Sequence, residues 1–435
     1  MTRAPSKPTP GNYRWVICAL LFAATTINYI DRQILALLKP ILDDQLHWTN
    51  EQFGDIQAAF QGAYAVSLLF FGWFIDRFGA KIGYAVSIAA WSLAALSHAL
   101  VGSIGGFFNA RVALGLGEGG NFPAAIKATA LWFPKRERAL ATSIFNSGAN
   151  VGAIAAPAIV PWVALTWGWQ AAFIAAGAAG FLWLALWIPF FSLPRKSTRL
   201  SADELAHIES DTDEIHSDTG IAKASWGSLL KHRQTWSFIA GKFLTDPVWW
   251  FFLSWLPDFF KKTRGLDIKN SAILLVAIYA IVTVLSIGGG WLTGALTKRG
   301  WSVTRARKTG MFLYACCVIP ILAVTTVGDW PAVLLIGLAG AAHQAWSANL
   351  YTTVSDMFPK YAVASVVGLG SVAGALSGIL FQKAVGRMLD HFTAIGNVTS
   401  GYMMLFAICA FAYLVAFAVN HLLAPKYVPF SLEKE

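Results

Sequence analysis

The sequence predicts an all-α membrane protein of about twelve transmembrane helices, arranged as two pseudo-symmetric six-helix bundles. The chain is 56% hydrophobic and only 13% charged over 435 residues, about half the charged share of a soluble domain, and its mean hydropathy is +0.55. Apolar windows of about 19–25 residues recur along it, each long enough to cross a hydrocarbon core of about 30 Å. A polar stretch near the midpoint separates six such windows from six more.

Breaks at charge, Pro and Gly clusters place segments one to six near residues 14–40, 52–76, 82–102, 106–128, 138–161 and 168–192. Segments seven to twelve fall near 235–260, 271–297, 306–327, 331–356, 361–387 and 399–424. The expected domains are a first bundle over 1–192, a cytoplasmic linker over 193–234 and a second bundle over 235–435. The linker carries Asp203, Glu204, Glu209, Asp211, Asp213 and Glu214 and reads as solvated, with one short amphipathic helix over 202–214. Segment one follows Arg3, Lys7 and Arg14 as a leader peptide would. It is too long for one, however, and holds Asp31 and Arg32 where cleavage would fall, so it reads as a retained helix. Cys18, Cys316, Cys317 and Cys409 all lie in apolar segments without CxxC spacing, as free thiols do.

A net charge of +10 and a pI near 9.4 would suit nucleic acid, but the basic residues are confined to short loops. Arg77, Lys81, Lys135, Arg136, Arg138, Lys298, Arg299, Arg305, Arg307, Lys308 and Lys360 all fall on the side shared with the N-terminus. By the positive-inside rule both termini and the linker are cytoplasmic. Lys261, Lys262, Arg264 and Lys269 break the pattern, partly balanced by Asp258 and Asp267. The expected partners are therefore the bilayer, protons and a small organic anion, with no nucleic acid. No G-x-x-x-x-G-K-[ST] motif is present, so the chain has no ATP motor, and no metal-ligand spacing or nucleophile elbow suggests a cofactor or an enzyme. Asn397-Val398-Thr399 matches a glycosylation triplet and carries no weight in a bacterial inner membrane.

The halves repeat each other. Phe133-Pro134-Lys135 closes segment four as Phe358-Pro359-Lys360 closes segment ten, and Gly72-Trp73 matches Gly290-Trp291. Repetition of a six-helix unit marks transporters. The stretch Gly72-Trp73-Phe74-Ile75-Asp76-Arg77-Phe78-Gly79-Ala80-Lys81 resembles the conserved loop between helices two and three of major facilitator transporters, G-x-x-x-D-R-x-G-x-K. That resemblance implies the major facilitator fold. Physically, Gly72 would let neighbouring helices approach and Asp76 would accept from a facing helix N-terminus or a basic side chain, latching the cytoplasmic side. The competing reading is a basic turn that only sets topology.

Within the superfamily, Asn28-Tyr29-Ile30-Asp31-Arg32, together with Arg111, Gly115, Gly117 and Glu118, resembles the anion:cation symporter branch. Lys81-Ile82-Gly83-Tyr84, Asn146 with Gly148 through Ala156-Pro157, Asp246-Pro247 with Trp249, and Ala342-His343-Gln344-Ala345 resemble bacterial hexuronate transporters in particular. The resemblance covers nearly the whole chain. It implies proton-coupled uptake of galacturonate or glucuronate. Some hexuronate transporters lack a carboxylate where Asp31 stands and aldonate transporters keep it, so galactonate-like substrates stay open. A proton-antiporting drug exporter and a sugar-acid sensor that moves nothing are the remaining alternatives; a monomer is expected.

The residues themselves point to the same chemistry. Asp31 and Arg32 lie inside an apolar run, where each charge costs about 2.5–3.5 kcal/mol on the most lenient scale. Tyr29 and Arg32, three apart, share a helix face. Arg presents a planar fork that fits a carboxylate, so Arg32 is assigned to the substrate in preference to a permanent bridge with Asp31. Glu118 sits among four glycines, with Arg111 two turns earlier on its face, and the two read as a switchable pair. Glu118, Asp31 and Arg111 form the expected proton-coupling set. Lys242 and Asp246, spaced i, i+4 before Pro247, are either an internal pair supporting a kink or a ligand contact. Trp249 offers an indole face to a sugar ring. His343, Gln344, Asn349 and Ser371 from the second half, with Tyr64, Asn146 and Asn150 from the first, are the other expected ligand contacts.

Overall fold

In a computed structural model the chain is described over residues 11–210 and 226–427, and every regular element among them is helical. The first half comprises α1 (Tyr13–Leu46), α2 (Asn50–His98), α3 (Ile104–Glu118), α4 (Asn121–Trp132), α5 (Lys135–Trp167) and α6 (Trp169–Phe190). Short linker helices α7 (Ala202–Ile208) and α8 (Trp226–Leu229) follow. The second half holds α9 (Arg233–Arg264), α10 (Ile268–Lys298), α11 (Val303–Val318), α12 (Asp329–Met357), α13 (Lys360–Ala394) and α14 (Val398–Leu423).

Eight helices among the described residues are long and apolar enough to cross a membrane. Helix α2 is two crossings joined at Gly79, whose φ of +85° turns the chain so tightly that helical bonding resumes at once. Segment four is split into α3 and α4. There the Ser67 and Ser87 hydroxyls donate to the carbonyls of Leu116 and Gly117, the latter at 2.6 Å, oxygens that would otherwise accept from residues 120 and 121. Counted this way, with α11 and its 3-10 extension Ile319–Ala323 as one, the described chain makes twelve crossings. The other crossings are the broken one, whose two pieces are each too short, and those of α9 and α12, which carry polar residues considered below.

The helix starts are capped as their sequences dictate. Thr49 and Gln52 form a reciprocal capping box on α2, and Asn397 of the glycosylation-like triplet caps α14 at Ser400 N. The linker departs from expectation. Its acidic helix is not fully solvated: Glu204 is 1% exposed, because its carboxylate accepts from Tyr13 N and Arg14 N at the start of α1. Arg14 also pairs with Glu204 (3.2 Å) and with Glu137 of α5 (2.9 Å), which in turn contacts His207 of α7 (2.8 Å). Burial alone would raise the Glu137 carboxyl; its Arg14 and His207 partners outweigh that and hold it below the usual carboxylate range. Thus α7 fastens α1 to α5. Residues 211–214, the rest of the expected linker helix, lie outside the described residues.

The two halves share one apolar core at the end away from the chain termini, where Leu35, Leu38, Leu42 and Phe53 meet Trp255, Leu256 and Phe259. Toward the termini the first half has a separate core of its own, around Ile17, Leu21, Ile75 and Trp132. The bundle is therefore zipped at one end and parted at the other. An ionic network reinforces the zipped end. Lys39 of α1 pairs with Asp258 of α9 at 2.7 Å, both essentially inaccessible, while each keeps a partner on its own helix, Asp43 at 2.8 Å and Lys262 at 3.3 Å. Tyr402 donates to Asp258. Asp390 of α13 accepts from Asn50 N (2.9 Å) and Glu51 N (2.8 Å), capping α2 across the interface. Lys261 reaches Asp44 and Pro40 O, Lys262 reaches Asn50 at 2.7 Å, and Arg264 pairs with Asp329 at 3.1 Å. Three of the four cations that broke the loop-charge pattern, Lys261, Lys262 and Arg264, are thus bonded within the zipped end.

Removing Lys39 leaves the buried network of Asp43, Asp258 and Lys262 with one negative charge in excess. Lys39→Met is therefore expected to lower the thermal midpoint of the purified protein, and adding Asp258→Asn should recover most of the loss. A thermal-unfolding series on the single and double variants checks this; an unchanged midpoint in Lys39→Met would mean the halves are held elsewhere.

Candidate functional site

Four charges converge in the first half. The Arg32 guanidinium on α1 donates from Nε to Glu118 Oε2 of α3 at 2.6 Å, with the two side chains 8% and 0% exposed. Aromatic rings enclose the rest of it: Tyr64 at 4.4 Å, Tyr29 at 5.2 Å and Phe60 at 5.7 Å from the guanidinium carbon, distances at which the ring faces attract a cation. The pairing differs from the expected Glu118–Arg111 bridge. Seven residues separate those two, about 10.5 Å along a helix axis, whereas α1 brings Arg32 level with Glu118. Arg111 instead lies against Phe60 and donates from Nη2 to the Arg32 carbonyl at 3.2 Å.

Helix α3 reaches this depth because its glycines let it lie against backbone: a Cβ at Gly115 would sit 2.5 Å from Phe60 O, and one at Gly117 2.5 Å from Trp91 N. Several polar atoms in the cluster accept or donate no hydrogen bond within the protein, namely both Asp31 oxygens, Glu118 Oε1, and Nε and Nη1 of Arg111. Asp31 shares its surroundings with Glu118, Arg111 and Arg32. Two cations and two acids therefore balance, with bonding capacity left over. Buried polar atoms normally find partners; these have none within the protein.

Beside the cluster lies a cavity of about 280 Å³, walled by Tyr29, Ser143, Asn146, Ser147 and Asn150 from the first half and by Trp249 and Gln344 from the second. That is close to the lower end of small-ligand sites, about 300–1,000 Å³. Asn146 and Asn150 are one turn apart on α5, so both amides face the same space. Trp249 is stacked on His343, rings 5.5 Å apart and inclined by 4°, and His343 Nδ1 lies 2.6 Å from the Tyr413 hydroxyl. His343 therefore backs the indole instead of walling the cavity. Across from Tyr29, Lys242 pairs with Asp246 at 2.7 Å and donates to Tyr351 at 3.0 Å.

The structure brings Tyr29, Asn146, Asn150, Trp249 and Gln344 to one cavity, and Arg32, Tyr64, Asp31, Arg111 and Glu118 to the adjoining cluster. It does not bring Asn349 there. That amide accepts from Arg307 at 3.3 Å, beside the Arg307–Asp356 pair, and donates to Ala345 O. Ser371 turns its hydroxyl back to Val367 O at 2.9 Å. In the loop motif, Asp76 pairs with Lys127 of α4 at 3.0 Å, Gly79 makes the turn, Arg77 is exposed, and the Lys81 carbonyl accepts from Trp187. Gly72 does not serve a close approach here, since a Cβ would meet nothing within 4 Å. Phe60, Ser143, Ser147 and Tyr351 were not anticipated. Phe60 carried a signal, one turn before Tyr64 on the same face; the others did not stand out among many polar residues.

A two-half helical bundle that crosses a membrane and walls an internal cavity with buried, balanced charge is a solute transporter. The chain belongs to the Major Facilitator Superfamily, whose profile it matches over residues 21–382. It is 33% identical over 399 residues to the hexuronate transporter of Escherichia coli (strain K12), covering 91% of this chain and 90% of that protein. It is 32% identical over 281 residues to the galacturonate transporter of Dickeya chrysanthemi, covering 65% of this chain and 80% of that one. Among solved structures it resembles a bacterial homologue of the human lysosomal transporter Spinster in an inward-facing, occupied conformation, with a TM-score of 0.75 at 17% identity over 96% of this chain and 98% of that one.

If Arg32 is the partner of Glu118, Glu118→Gln should lower the thermal midpoint of the ligand-free protein, because that guanidinium loses its counter-charge. Adding Arg32→Gln should restore more stability than adding Arg111→Gln. Thermal midpoints of the three variants report which guanidinium Glu118 neutralises.

Proposed function

We propose that this transporter is a proton-coupled symporter that imports a sugar acid, a hexuronate such as galacturonate or glucuronate, by alternating access. The observation that carries the reading is the ion pair of Arg32 and Glu118 beside a cavity walled by hydroxyls, amides and an indole from both halves. A sugar acid matches each part of that wall. Its carboxylate takes the guanidinium, its hydroxyls take Asn146, Asn150 and Gln344, and its apolar ring face takes Trp249. The similarity to a hexuronate transporter and a galacturonate transporter supports the same substrate class.

Charge balance supports the coupling. With Arg32 and Arg111 against Asp31 and Glu118 the empty centre is neutral, and a bound monoanion leaves one charge in excess. One proton taken up by Glu118 or Asp31 cancels it and releases the guanidinium to the substrate. The bundles over 1–192 and 235–435, joined by 193–234, then rock about the cavity. In this reading the chain works as a monomer in a bacterial inner membrane with both termini cytoplasmic, the parted end faces the cytoplasm, and the Asp76–Lys127 pair belongs to the latch on that side.

In proteoliposomes, labelled galacturonate should accumulate when the exterior is acidified, with glucuronate, galactonate and gluconate as competitors ranking the substrate. Glu118→Gln keeps the shape of a protonated Glu and removes its titration, so counterflow exchange should persist while gradient-driven accumulation fails. Retained accumulation would remove Glu118 from the proton path.

Arg32→Lys should abolish or severely weaken galacturonate binding while leaving membrane insertion intact, since a point charge does not reproduce the fork. Near-normal affinity in equilibrium binding to the purified variant would overturn the assignment.

A further inference from the structure

The second half carries a charge centre of its own that the coupling scheme leaves unused. On α9, Lys242 is buried, pairs with Asp246 one turn on at 2.7 Å and bonds the Tyr351 hydroxyl of α12 at 3.0 Å, its ammonium also lying 4.7 Å from that ring. Such a pair could simply brace the kink at Pro247. Three features argue for more. The centre opens to the cleft: Tyr351 is 36% exposed and the Asp246 side chain 18%. It lies on the face of α9 that presents Trp249 to the cavity. It is also near the substrate centre, since Tyr351 is close enough to act electrostatically on Tyr29, whose ring lies 5.2 Å from the Arg32 guanidinium. Arg32, Tyr29, Tyr351 and Lys242 thus form a series that passes from one half to the other.

Room for the acid has been made deliberately on α13. A Cβ at Gly374 would sit 2.2 Å from Asp246 Oδ2, so the glycine admits the carboxylate between helices.

We propose that the Lys242–Asp246–Tyr351 centre reads the end of the sugar acid remote from its carboxylate, and that Asp246 restricts the transporter to monocarboxylates. The proposal rests on the sugar-acid reading above and names the determinant within it. A hydroxyl or ring oxygen at the remote end can accept from Lys242 or Tyr351 while Asp246 neutralises the ammonium. A second carboxylate at the same place meets the Asp246 charge, and like charges at close range reject a ligand. Replacing Asp246 with Asn leaves Lys242 as an uncompensated buried cation, for which a second carboxylate is the natural counter-ion.

The test uses the purified full chain with galacturonate, which has one carboxylate, and galactarate, which has two. In Asp246→Asn the thermal midpoint without ligand should fall and galactarate should restore it. Galactarate affinity should rise about tenfold relative to galacturonate. An unchanged ratio of the two affinities overturns the proposal. Should Asp246→Asn not fold, the charge-neutral double variant Lys242→Gln/Asp246→Asn decides. It should bind galacturonate about tenfold more weakly if the centre reads the substrate, and unchanged binding shows a brace only. Failure of the wild-type protein to bind any sugar acid would count against the sugar-acid reading itself, and is separable from either result.

Discussion

The expense of a charge in hydrocarbon organises this molecule. Each ionised side chain at membrane depth costs at least about 2.5–3.5 kcal/mol, and three buried cations among the described residues each hold an acid at close range. Arg32 has Glu118, Lys39 has Asp258, and Lys242 has Asp246. The helices follow from these pairings. Glycines draw α3 against α2 until Glu118 is level with Arg32, and Gly374 makes space for Asp246. A stripe of small residues in α3 and a serine in each of the two α2 crossings bring one carboxylate to one guanidinium.

The two halves, alike in topology, divide the chemistry unequally. Arg32, Asp31, Arg111 and Glu118 all belong to the first half, within α1 and α3. The second half contributes an indole held by a histidine, a glutamine, and one neutralised ion pair. Buried charge is concentrated in one bundle, and the aromatic and amide wall that the second half adds faces it. Tyr29 and Tyr351 stand where the two meet.

Most of the architecture was legible because the bilayer imposes a length and a polarity on every crossing, and loop charges, prolines and glycines punctuate them. Segment boundaries were readable to within several residues. What escaped was set by contacts between distant segments. The fusion of two crossings in α2 depends on how tightly Gly79 turns, and the break after Glu118 on two serines that donate to its neighbours' carbonyls. In the site, residue types on one helix face could be grouped, so Tyr29 with Arg32 and Asn146 with Asn150 were visible. Which guanidinium meets Glu118 was not, because spacing along α3 favours Arg111 until the height of α1 is known. Asn349 was placed among the candidate ligands because its demand for a partner was plain, while the partner, Arg307, lies on another helix. The excess of lysine at the end of α9 was visible as an anomaly, and its cause lay in the first half.

The closed end contains a feature whose meaning lies in its opening. Lys39 and Asp258 bridge the halves, yet each also has an opposite charge one turn away on its own helix, Asp43 and Lys262. Separation of the halves therefore exchanges one four-membered network for two neutral pairs and strands no ion. The α2 amide groups released from Asp390 lie at a helix end, where water can take over their bonds. Cohesion at this end is a matter of geometry more than of gross bond count, so the two arrangements can lie close in energy. A carrier built this way can be shut firmly without being shut irreversibly.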